Sequence, residues 1–551
     1  MKIKSIFAVL AAGMVGCVGL EQYPTNSYTD ENFWKYPENV RAALYLGYNQ
    51  CWNDYTYFHN DLLSDDTYGS RHSSDELNIA TGLATTENGR FAREWNDSYQ
   101  ELRTIHTSLD NQHRIDVGDP VFKERMLAEL RLMRAFTYLR LTTWFGNVPF
   151  YTRNPTLPEA ISSKPTDAAT IKAFIHEELA EAAEILPKNT EIPASELGRY
   201  TCGTAVALNA RAYLLDNDFE NCARECAKLI NTTDYGTYAL ADDYDALFKT
   251  GHYGSESIMT IEYATLNGVE NVVRSWGTGG YLPQSIGSRG ITIYSPTQEL
   301  VDAFRKLNGD PANDTDYLNR DKRFYTTIAY NGCEVDIPEK RELGITGTEG
   351  KGKGKYTCWT KLSDQNAAHD SELVDAYDGS QDRTCTGYYS LKNYDATTVA
   401  KGGGSIKSLM EIRYADVLLM YAESMYELGQ MTEQIWDQTI RPLRERAGFT
   451  ADYCSYAAGS GDMREAIRHE RRCELALEGR RVFDLRRWAV LDNASVKTSG
   501  ATVLTSQATG APFEDDGSNI KCQNSYRLKY WFAIPQGERD KNKNLPQNPG
   551  W

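Results

Sequence analysis

The sequence predicts a mostly α-helical protein, in which tetratricopeptide-like helix pairs form a scaffold around a variable, loop-rich lobe. Three observations carry this. Apolar residues recur at steps of three and four in the first 230 residues and again after 405. Two helix-turn-helix units appear at distant places, each opening on a helix that mixes alanines with Tyr and Leu. Between them, residues 231–405 are rich in Gly, Tyr, Thr and Asp and read mostly as loops and short strands.

The chain opens on a secretory leader. Lys2 and Lys4 form a basic stretch, residues 6–12 are apolar, and Gly16-Cys17 follows. This run is too short to span a membrane. Met14-Val15-Gly16-Cys17 resembles a bacterial lipobox, so residues 1–16 read as a signal peptide and Cys17 as the lipidated residue of the mature chain. Two or more acyl chains on one residue anchor stably.

In the first helical zone, Met126, Leu130, Met133, Phe136 or Thr137, and Leu141 mark one apolar face, and Gly146 and Pro149 suit a stop. Residues 200–215 and 219–230 form one helical hairpin around Asp216-Asn217-Asp218. Residues 414–428 and 431–447 form another around Gly429-Gln430. One hairpin cannot bury its own apolar face, so several must stack. In the middle zone, Ser295-Pro296-Thr297-Gln298 fits a capping box with Ser295 at the N-cap. The chain ends on an extended Pro/Asn-rich tail.

Composition excludes several functions. The net charge of −17 disfavours nucleic acid and anionic lipid surfaces. Eleven cysteines in 551 residues are too sparse for a disulfide scaffold, and Cys222 and Cys226 show no zinc spacing. Residues 347–353 nearly spell a phosphate loop, but Gly354 stands where a Ser or Thr must hold magnesium. His469-Glu470 begins like a zinc-protease helix, but Cys473 takes the place of the second His. Asp65-Asp66 and Asp242-Asp243 read as solvated charge rather than the spaced carboxyls of a glycosidase. No metal, cofactor or catalytic group is expected.

Residues 462–478 read as a helix with Met463, Ile467 and Leu477 on one stripe. Glu470 and Glu474 share that stripe. Carboxylates on an apolar face need partners. The nearby arginines, Arg480 and Arg486 among them, are expected to supply a structural ion-pair network.

At these residues a resemblance emerges. The stretch IRHERRCELALEGRRVFDLRRW from Ile467 is similar to a hallmark of the SusD/RagB family of outer-membrane lipoproteins. RAFTYLRLTTWFGNVPF from Arg134, IRYADVLLMYAES from Ile412 and the ending FAIPQGERDKNKNLPQNPGW match further landmarks in order. The resemblance implies a SusD-like unit over 17–551, with 17–230 and 406–551 as scaffold and 231–405 as the variable lobe. It implies a surface-exposed lipoprotein of the cell outer membrane that binds a glycan and hands it to a SusC-like TonB-dependent transporter without cleaving it. A peptide-binding member of the same family, a secreted glycosidase and a helical-repeat adaptor are the alternatives.

No family motif marks the ligand contacts, so they are sought by elimination. Trp144, Trp488, Trp531 and Trp551 lie in or beside landmarks, and Trp34, Trp52, Trp95 and Trp436 sit in helical patterns. Trp276 and Trp359 remain, with Tyr281 close to the first. Tyr68 and Arg71 are candidates for an opposite wall. Aromatic faces suit sugar rings, and the Tyr-rich lobe favours glycan over peptide.

Overall fold

A computed structural model of the chain describes residues 33–51, 54–70, 74–249, 251–265, 272–274, 276–277, 282–283, 293–312, 317–337, 352–355, 375, 377, 383–396, 404–513 and 516–551. Its longer helices are α1 (Pro37–Cys51), α2 (Gly89–Asp110), α3 (Pro120–Phe145), α4 (Ala168–Ile185), α5 (Cys202–Leu215), α6 (Phe219–Asn231), α7 (Tyr414–Glu427), α8 (Glu433–Arg446), α9 (Met463–Glu474) and α10 (Arg481–Asp492).

Local chemistry sets the ends of these helices. The Asp119 carboxylate accepts from the Phe122 N–H, and Pro120 follows at the start of α3. Gly146 ends α3 at φ 71, and its N–H bonds the Thr142 carbonyl. Thr201, Asp218, Thr432 and Asp462 cap α5, α6, α8 and α9 through their side-chain oxygens. Asn217 makes the α5–α6 turn at φ 57, and Gly429 the α7–α8 turn at φ 69.

The helices pack in order: α1 on α2, α2 on α3, α3 on α4, α4 on α5, α5 on α6, α6 on α7, and α7 on both α8 and α9. This is the mostly α, tetratricopeptide-like architecture expected from the sequence. One continuous apolar core runs from Trp34 to Leu545 and joins the early helices to the late segments of the described residues. A small second cluster, including Leu282, Val335 and Tyr389, belongs to the middle segment.

Among the described residues every sheet is two-stranded. β1 (Thr67–Gly69) pairs with β3 (Tyr294–Pro296), Tyr68 opposite Ser295. β2 (Ser257–Ile261) pairs with β4 (Leu409–Arg413), Met259 opposite Ile412. This second pair clasps the start of the middle segment to its end. The Tyr414 N–H, donating to the Glu256 carbonyl, extends the clasp into α7.

Three local expectations are corrected. Ser295 is not a helix cap: it lies in β3, and Thr297 caps the helix Gln298–Ala303 by accepting from the Leu300 N–H. The strand pairing to β1 claims Ser295 and Pro296 and starts the helix two residues later. Next, α9 stops at Glu474, and Leu477 adopts φ 59 instead of continuing the stripe. Finally, the tail is preceded by a long hairpin of β5 (Thr502–Pro512) and β6 (Asn519–Lys529), which the sequence reading missed. β5 alternates polar with small residues and carries little apolar period, whereas β6 does alternate, with Ile520, Cys522, Tyr526 and Leu528 buried.

Candidate functional site

The expected lipidation residue Cys17 and the expected ligand contacts Arg71, Tyr281 and Trp359 lie outside the described residues. The Trp276 main chain forms a short strand, Trp276–Gly277, opposite Gly404–Ser405. That pairing joins the predicted aromatic position to the glycine-rich end of the middle segment, just before β4.

Tyr68 is a correction. Its ring is 1% exposed, meets Tyr526 edge to face, and its hydroxyl accepts from the Asn524 N–H. β1 is buried between β3 and the β5–β6 hairpin, so Tyr68 offers no face to a ligand. Trp34, Trp95, Trp144, Trp436, Trp488 and Trp531 are buried, in keeping with a packing role. Tyr253 and Tyr325, 44% and 37% exposed, are aromatic faces of the middle segment that elimination among tryptophans passed over.

The two glutamates of α9 sit in a dense charge network. Glu474 Oε1 accepts from Arg413 Nη1 at 2.6 Å and from Arg446 Nη2 at 2.5 Å, and Oε2 accepts from Arg323 Nη1 at 2.8 Å. Glu470 accepts from Arg323 at 2.6 Å and from Arg444 at 2.9 Å. Arg413 also donates to Glu256 and Glu478, and Lys392 donates to Glu478. Burial alone would raise the Glu474 carboxyl; Arg446, Arg413 and Arg323 outweigh it and hold the group well below the usual carboxylate range. Glu470 is lowered likewise, with burial opposed by Arg323 and Arg444.

These partners differ from those expected. Arg480 pairs with Glu411, and Arg486 donates to the Tyr530 and Thr143 carbonyls. The reason is the break after α9. Leu477 at φ 59 and Gly479 at φ 71 swing residues 480–487 away from the face that carries Glu470 and Glu474. The true partners stand in the sequence as Arg323, Arg413, Arg444 and Arg446, far along the chain or on other helices. Asp65 and Asp66 are also corrected: they pair with Arg481 and Arg472 rather than with solvent, and Asp66 is 1% exposed.

With every carboxylate of this network committed to a cation, it resembles a brace rather than an acid–base pair. Among the described residues, no group of three His, Cys, Asp or Glu side chains could hold a metal, and no helix is long and apolar enough to cross a membrane.

Residues 255–551 match the family model described as the SusD family, and residues 20–214 match one described as starch-binding associating with outer membrane. The chain belongs to the SusD family. This SusD-like chain is 25% identical to SusD-like protein P2 of Formosa agariphila, over 100% of both chains. A crystal structure of a SusD-like carbohydrate binding protein from Bacteroides fragilis shares its fold with a TM-score of 0.77 and 26% identity, covering 94% of this chain and 100% of that one. A laminarin binding SusD-like protein shares the fold at a TM-score of 0.62 and 22% identity, covering 94% of this chain and 100% of its own. The family descriptions carry carbohydrate binding and association with the outer membrane.

Proposed function

We propose that this SusD-like protein is a lipoprotein, anchored through Cys17 and exposed on the outer membrane, that binds an oligosaccharide or polysaccharide. It delivers the glycan uncleaved to a SusC-like TonB-dependent transporter. The observation that carries this reading is full-length membership of a family whose B. fragilis relative is described as carbohydrate binding. The helical parts, 17–230 and 406–551, serve as scaffold, and 231–405 as the lobe that sets ligand choice. Trp276 and Trp359 grip the sugar, with Tyr281 close to Trp276 and Arg71 on the opposite wall. The β2–β4 clasp and the Arg413 network support this division, because they tie a strand within the lobe to the scaffold strand that follows it.

A glycan array on the chain truncated before Cys17 tests the ligand class, with peptide binding in place of glycan binding as the overturning result. Isothermal titration then tests the site: Trp276→Ala and Trp359→Ala each weaken binding by at least ~1 kcal/mol. Unchanged affinity in the folded double variant removes the site. Replacing Cys17 by alanine in the native host abolishes fatty-acid labelling. Purification from mild detergent brings down a large TonB-dependent protein.

A further inference from the structure

A cavity of about 670 Å³ opens in the scaffold, away from the lobe sequence. It lies between α2, the segment 149–161 and the tail residues 538–545; none of its lining residues belongs to 231–405. The volume is within the ~300–1,000 Å³ of small-ligand sites.

Two polar atoms in its lining have no partner. His106 is 1% exposed, yet its Nε2 makes no hydrogen bond. Asn154 Oδ1 is buried and equally unpaired. The Asn154 Nδ2 donates to Thr107 Oγ1 at 3.0 Å, and that hydroxyl has spent its own proton on the Arg103 carbonyl at 2.7 Å. In that orientation Oδ1 is left as a free acceptor. An unsatisfied buried polar atom costs about 1–3 kcal/mol, a cost that a ligand hydrogen bond removes.

The rest of the lining says what kind of ligand fits. Leu157 and Ile161, 73% and 49% exposed, and the Tyr99 ring give apolar faces. Burial, with the Arg134 charge nearby, pushes the His106 ring down to about 3, so it is neutral in use. A neutral His106 offers a ligand carboxylate no charge. Of the cations that line the cavity, Lys541 is paired to Glu538, and Arg103 is exposed. The floor asks for groups that donate to Asn154 and either donate or accept at His106. Hydroxyls meet both needs, and a ring with a C–H face covers the apolar wall.

We propose that this cavity is a second saccharide site, taking one or two neutral sugar units of a glycan whose remainder is held elsewhere on the protein. It rests on the glycan reading above only for the class of the whole ligand.

The test uses the chain truncated before Cys17 and four probes: maltoheptaose, laminarihexaose, mannohexaose and xylohexaose. Binding is followed by calorimetry and by the His106 ring signal in protein labelled at histidine ¹³Cε1, assigned by loss of that signal in His106→Phe. The expected result is that a binding probe shifts the His106 signal in wild type and in the Trp276→Ala/Trp359→Ala variant. Ala160→Trp, which fills the cavity, abolishes that shift, and Asn154→Ala, which leaves it open, weakens the associated binding roughly tenfold. A probe that binds wild type with a silent His106 signal, or with affinity unaltered in folded Asn154→Ala, overturns the second site and leaves the glycan reading intact. Binding of none of the probes overturns both.

Discussion

Arg413 Nη1 donates to Glu474 Oε1 at 2.6 Å, joining residues 61 positions apart. The same guanidinium reaches Glu256 just before β2 and Glu478 just after α9. One side chain thus ties together the start of the middle segment, its return, and the helix that follows. All of these groups are buried, so each cation must be matched by carboxylates.

Glu474→Ala is expected to destabilise the fold by ~3–5 kcal/mol, because it strips one carboxylate from three buried arginines at once. Glu474→Gln keeps the shape and some acceptors and should lose less. Urea unfolding measures both. Ligand affinity per folded molecule should stay at the wild-type level; wild-type melting with lost binding would reassign Glu474 to the ligand site.

Acid should unfold the protein through the same network. Glu470, Glu474 and Glu478 are all held below their ordinary range in the folded state. The unfolded chain therefore takes up their protons first, near pH ~4.3. Their stabilisation is fully present above that pH and is lost as pH falls toward the folded values. Melting temperature should fall progressively as pH drops from 5 to 3, with a shallower slope in Glu474→Gln. Equal slopes in the two proteins would remove Glu474 from the acid response.

Gly479→Ala is expected to cost about 1–3 kcal/mol, the penalty for a non-glycine residue held in the left-handed region. Gly479 adopts φ 71, its added Cβ would run into the Tyr57 carbonyl, and its N–H donates to both oxygens of Asp61 at 3.1 Å. Thermal melting reads the loss. The variant should also loosen the α9–α10 connection, seen as faster amide exchange at residues 475–480.

The scaffold was legible in the sequence because helix pairs are local. Periodic apolar residues, Thr and Asp caps and the turns at Asn217 and Gly429 act over a few positions, and they place α5 to α8 within a residue or two of where they lie. The buried, paired state of Glu470 and Glu474 was legible for the same reason, since a carboxylate on an apolar stripe implies a counterion wherever the chain goes. Which counterion was not. The arginines adjacent in sequence, Arg480 and Arg486, turn away at Leu477 and Gly479, and Arg323, Arg413, Arg444 and Arg446 arrive from other elements. Tyr68 followed the same rule: an aromatic in a loop-like stretch reads as a ligand contact until β3 and a hairpin more than 430 residues later cover it, its hydroxyl bonding Asn524 across 456 positions. The sequence alone therefore determined the helical class, the two helical hairpins and the family. Tertiary structure alone decided the ion-pair partners, the burial of Tyr68 and the unpaired His106 and Asn154 atoms, because contacts between distant segments leave no period in the chain.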